Sequence, residues 1–204
     1  PAKINTRSST GRKTTILLII FSAMILAWFL FSNLDFGKYD SLEEAIEKGI
    51  PYPVKDVIHI QNMDDVTGVM YAMEADRQQF PHIVDDIPAV AFFGGNDQEG
   101  WQNIIPNQWT HYEAEHMTNY TASFKDFDER GITRHELYIA YGNIYDDEIV
   151  KVEVKTYDKG DFEEAEIITH QGKRYYFYWK EGPVNTLIAR GLSKDGAVID
   201  TTCA

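Results

Sequence analysis

Residues 14–32, TTILLIIFSAMILAWFLFS, run for nineteen positions without a charge. As an α-helix this stretch is roughly 28 Å long, close to the ~30 Å hydrocarbon core of a bilayer. All its faces are apolar for about five turns, whereas a helix on a globular core keeps one polar face. Trp28 and Phe31 sit towards its far end, where aromatic rings favour the membrane interface. Lys3, Arg7, Arg12 and Lys13 precede it with no acidic residue among them, and Asp35 and Asp40 follow it. The positive-inside rule therefore keeps residues 1–13 in the cytoplasm as a basic stub and sends the rest across. A cleaved signal peptide shares the basic-then-apolar pattern. Here the run is longer than a signal core, its end (Phe29-Leu30-Phe31-Ser32-Asn33) offers no small-x-small site, and no cysteine closes it as a lipoprotein requires. The expectation is a retained transmembrane helix over 14–32. Ser22, Ala23 and Ala27 give it a small-residue face through which it could pair with another helix.

Charge separates the two sides of this run. The stub carries +4, and the remaining 15 basic residues face 32 acidic ones, leaving −17 from Thr14 onward. A field of that sign repels phosphates, so nucleic acid is excluded as a partner of the main part. With 44% hydrophobic residues the chain can still bury a core. Cys203 is the single cysteine, in a 201–204 tail expected to fray, so no intramolecular disulfide is possible.

Beyond a polar linker at 33–40, Ser41 to Ile50 (SLEEAIEKGI) predicts a short helix, with Ser41 as cap, Glu44 at the capping-box position and Gly49 closing it. The period then changes to that of strands. Val54–Gln61 and Val66–Ala75 form an expected hairpin, and Ile87–Gly94 is a continuous apolar run suited to a strand buried on both faces. After the Gly94-Gly95-Asn96-Asp97 turn, a returning strand is expected within 101–109, completing a meander over 54–112. Residues 111–131 are polar and weakly periodic, a connector or short helix. A second strand-rich block covers 132–200. Within it EIVKVEVKTY places Ile149, Lys151, Glu153 and Lys155 on one side and Val150, Val152 and Val154 on the other. The predicted architecture is mainly β, α+β with one minor helix. The membrane helix would be followed by an antiparallel sheet or sandwich-like extracytoplasmic domain over 41–200, with 54–112 and 132–200 as its halves.

The order of SLEEAI, a hairpin with VIHI, an apolar strand ending before Gly100-Trp101, YIAYGNIYDDEIVKVEV and a closing ARGLSKDGAVID resembles uncharacterised small single-pass extracytoplasmic proteins of Gram-positive, Bacillus-type bacteria. The resemblance covers most of 41–200. It implies a β-rich domain at the cell envelope and carries no reaction or site residues with it. Pro1 fits a chain whose initiator Met has been removed.

Chemistry is sparse. The densest metal-like cluster is His111-Tyr112-Glu113-Ala114-Glu115-His116, but its histidines are five apart, which suits neither one helix face nor one strand face. His111, Glu113, Glu115 and His116 are the metal candidates on this evidence, and a hydrated connector explains them as well. Asp158–Glu164 and Asp146-Asp147-Glu148 lack the ligand spacing of an EF-hand loop. No nucleophile elbow, P-loop or dinucleotide fingerprint is present, so no catalytic residue and no cofactor is expected. The strip Tyr175, Tyr176, Phe177, Tyr178 and Trp179 puts three aromatic rings on one strand face and two on the other; one face should be core and the other is the candidate binding surface. Together these features predict a non-enzymatic binding or envelope-associated protein, held in the membrane by 14–32 and facing an envelope protein or cell-wall component. The alternative is an envelope hydrolase or metal-dependent enzyme whose site is not visible as a motif.

Overall fold

A computed structural model describes residues 37–63, 65–74, 86–105, 114–157, 160–182 and 187–203. The expected membrane helix at 14–32 lies outside them. Among the described residues no helix is long and apolar enough to cross a membrane.

Helix α1 (Leu42–Gly49) forms where its caps predict. The Glu44 N–H donates to Ser41 Oγ at 3.2 Å, and Glu44 Oε2 accepts from the Asp40 N–H at 3.2 Å. Its apolar face, Ala45 and Ile46, packs on the first sheet.

Twelve strands make three four-stranded antiparallel sheets among the described residues. Sheet one is the expected meander: β1 (Val54–Met63), β2 (Val66–Met73), β3 (Ile87–Asn96) and β4 (Gly100–Asn103) pair in chain order. Sheet two has the order β5-β6-β10-β9, from Tyr120–Phe127, Thr133–Ile144, Lys173–Glu181 and Glu166–His170. Sheet three has the order β12-β11-β7-β8, from Val198–Cys203, Leu187–Leu192, Lys151–Thr156 and Glu163–Glu164. After β6 the chain passes back and forth between sheets two and three.

The layers stack as α1, sheet one, sheet two, sheet three, with an apolar cluster in each gap. Val69, Tyr71, Ala89, Ala91 and Phe93 meet α1. Met70, Val90 and Phe92 on the opposite face of sheet one meet Phe124, Ile139, Tyr175 and Phe177 of sheet two. Ala140, Tyr176 and Tyr178 on the far face of sheet two meet Val152, Val154, Leu187 and Ala189 of sheet three. Sheets one and two are thus buried on both faces, which is why β2 and β3 read as unbroken apolar runs. A close approach closes the stack: a Cβ at Gly142 would lie 2.0 Å from Thr118 O, and the bare backbone there lets the Thr118 N–H reach Asn143 O at 3.0 Å.

Four expectations need correction. Part of the polar 111–131 stretch is strand β5 rather than connector or helix, because Tyr120 and Phe124 alternate with solvated residues and face the core between sheets one and two. The 101–109 return is strand only over Gly100–Asn103, with 106–109 outside the described residues. Around β7 the alternation begins at Lys151. Ile149 before it is fully buried and Val150 is 51% exposed, the reverse of what a longer strand would give. The 201–204 tail is not frayed up to Cys203, which is exposed but pairs with Ile188 on β11.

Candidate functional site

Strand β3 connects two ends of the domain that differ in character, roughly 30 Å apart for ten residues of strand. At its Asn96 end the chain joins the sheet: Gly95 pairs with Trp101, and Trp101 pairs in turn with Tyr39 through two main-chain hydrogen bonds of 2.8 Å. Near its Ile87 end, Asp86 binds Lys55 Nζ at 2.9 Å and Lys173 Nζ at 3.4 Å.

Beside that second end is a recess of about 210 Å³ lined by Asn143, Ile144, Tyr145, Asp147, Gly172, Lys173 and Arg174. The last residues of β6 and the β9–β10 turn build it. Arg174 donates to the carbonyls of Asp146 (3.3 Å) and Ile149, fixing the loop that forms one wall. His116 fixes it from the other side. Its carbonyl accepts the N–H groups of Tyr145 (2.8 Å) and Asp146 (3.2 Å), and its Nδ1–H donates to Asp146 Oδ2 at 2.8 Å. The bond to Asp146 holds the His116 imidazolium above its ordinary pKa. The Glu148 N–H and then His116 hold the Asp146 carboxyl below the usual carboxylate range. Asn143 is 97% buried, and its Oδ1 has no hydrogen-bond partner among the described residues. An ammonium, a guanidinium and a carboxylate therefore surround one small hollow. Such a mixed set suits hydrogen bonding to a polar segment.

The expected site residues fare differently. His111 and Glu113 lie outside the described residues. Glu115 is exposed on a bend and His116 is engaged with Asp146. Among the described residues no three His, Cys, Asp or Glu side chains converge as metal ligands would. The aromatic strip has no free face. Tyr175 and Phe177 are in the core between sheets one and two, and Tyr176 and Tyr178 are in the core between sheets two and three. Sheet two is an interior layer, so both strand faces are consumed. Tyr178 further donates to Glu163 Oε2 at 2.8 Å, and burial with this bond pushes its phenol pKa up. Only Trp179, which lies past the end of β9, stays 38% exposed.

Asn143, Tyr145, Lys173 and Arg174 carried no signal in the sequence. They are ordinary residues about thirty positions apart, joined by β6–β10 pairing. Comparison with protein-family models, curated proteins and solved structures finds no match to this chain.

Proposed function

We propose that this is a membrane-tethered, non-enzymatic domain that works outside the cytoplasm and binds an envelope protein or cell-wall component. The observation that carries the reading is the uncharged run of nineteen residues flanked by a +4 stub and an acidic, folded domain. Two structural features support it. Tyr39, the first residue paired into a sheet among the described residues, lies at one end of the domain, seven positions after the run. The recess bounded by Asn143, Lys173 and Arg174 opens at the opposite end, the side a tether of that length leaves accessible. Binding there would rest on polar groups held by the His116–Asp146 pair and by Trp179 and strand edges elsewhere on the surface.

The test is in-cell photo-crosslinking of the full chain with the probe at Tyr145, followed by identification of the partners. Envelope proteins or wall fragments that disappear when Arg174 is replaced by Ala support the reading. Cytoplasmic partners, or the same products with a probe at Glu43 on α1, count against it.

A further inference from the structure

The β5–β6 hairpin ends in two large, exposed apolar side chains: Phe127, whose ring has the Lys125 ammonium over it at 5.6 Å, is 52% exposed, and Ile132 is 61% exposed. The turn between them is well built. Asp128 Oδ1 accepts the N–H groups of Arg130 and Ile132, each at 2.8 Å. The Asp128 N–H donates to Ile132 O at 2.8 Å, and Gly131 takes the left-handed φ of +77° that the turn requires. This backbone fixes Phe127 and Ile132 at the tip rather than letting them fold back onto the domain.

The tip lies at the end where the chain joins sheet one. Phe124 on β5 stacks on Phe92 of β3 with centroids 5.9 Å apart. Three residues beyond Phe92 on β3 comes Gly95, which is linked through Trp101 to Tyr39. His135, just behind the tip on β6, reaches Asp65 in the β1–β2 turn at 3.9 Å, which puts the tip at that same end. Tyr39 is seven positions after Ser32, a path of at most about 25 Å when extended. If 14–32 crosses a bilayer, the surface of that bilayer lies within this reach of the end bearing Phe127 and Ile132.

Charge allows the approach. Residues 125–134 hold three basic side chains (Lys125, Arg130, Arg134) and three acidic ones (Asp126, Asp128, Glu129), and Glu136 and Asp65 beside them leave the tip weakly acidic on a part of the chain that carries −17 in total. Lys125 is paired with Glu136 at 3.2 Å and Arg134 with Asp126 at 3.7 Å. An aromatic and an aliphatic side chain on a weakly charged tip suit the boundary between headgroups and acyl chains.

We propose that Phe127 and Ile132 at the β5–β6 tip insert into the headgroup–acyl boundary of the same bilayer that holds residues 14–32, giving the domain a second, weak contact that fixes its tilt. The inference rests on the tethered reading given above.

The full chain, with Cys203→Ser and a single Ile132→Cys or Phe127→Cys carrying an environment-sensitive fluorophore, is reconstituted into phosphatidylcholine vesicles. Some of the lipid carries a spin label high on its acyl chain. The control probe is Lys194→Cys in the β11–β12 turn at the opposite end. Quenching at 132 and 127 should exceed that at 194 by at least about twofold, with a blue-shifted emission. Flotation of the protein with vesicles but equal quenching at all three positions overturns this inference and leaves the tether standing. A blue shift without quenching means that protein, such as a second copy, covers the tip, and also overturns it. Failure to float overturns the tether and this inference together.

Discussion

The two gaps that flank sheet two carry different sets of polar contacts. Between sheets one and two, three histidines face carboxylates across the seam: His59 lies 3.9 Å from Glu166, His135 is 3.9 Å from Asp65, and His170 is 2.8 Å from Asp56. Between sheets two and three, Lys180 and Tyr178 of β10 both bind Glu163 of β8 at the margin, and a neutral network is buried inside. Tyr176 donates its hydroxyl to Asn119 Oδ1 at 2.8 Å, and Asn119 Nδ2 donates to Leu187 O and Thr202 O at 3.1 and 3.3 Å. Partly exposed ion pairs of this kind are screened by salt and each adds little. A buried amide–phenol network is indifferent to pH and salt and costly to break.

The largest effect should come from emptying the first gap. Phe177→Ala removes a ring at the centre of the cluster, against which His59 packs at 4.9 Å, and should destabilise by about 4 kcal/mol in denaturant unfolding. Gly142→Ala in β6 forces a Cβ against Thr118 O and should cost about 3 kcal/mol. A loss below about 0.5 kcal/mol would show that the 117–119 segment is not held there in solution. Tyr176→Phe deletes a buried bond of the second gap and should cost about 1.5 kcal/mol by the same amount across the acid-to-neutral range. Any pH dependence of that loss would break the contrast between the gaps.

The smallest effects are the titrations themselves. The bond from His170 holds the Asp56 carboxyl below its ordinary range. Its stabilisation is therefore present above the usual carboxylate value of 3.8 and is lost as pH falls through the lowered one. Asp56→Asn should flatten the acid limb of the unfolding midpoint against pH and leave the neutral region nearly unchanged. The His116 imidazolium is held up by Asp146, so its contribution is present below the usual 6.5 and is lost as pH rises through the raised value. His116→Asn should remove that decline on the alkaline side. Equal slopes for variant and parent would show that the pair does not form.

Elements with a local cause were legible. Ser41 and Glu44 announce α1 because a cap is a contact among residues three or four apart. The meander is readable because its turns and apolar runs are consecutive. Strand β5 was not, since its core-facing Tyr120 and Phe124 stand among Thr, Ser, Lys and Asp that only a solvated outer face explains. The aromatic strip shows the limit most clearly. A strand of alternating rings has two apolar faces, and nothing local tells whether one layer or two will cover them. The recess was invisible because Asn143, Lys173 and Arg174 meet only through pairing of β6 with β10.

By itself, then, the sequence determined the uncharged run, the charge contrast across it, the capped helix and the strand periodicity, all set by neighbours along the chain. Only the tertiary structure decided that the strands divide into three stacked sheets, that Tyr175 to Tyr178 serve two cores, and that the Phe127–Ile132 tip and Tyr39 share one end. Those outcomes depend on which faces find apolar cover, and that is settled by long-range packing rather than by any local residue preference.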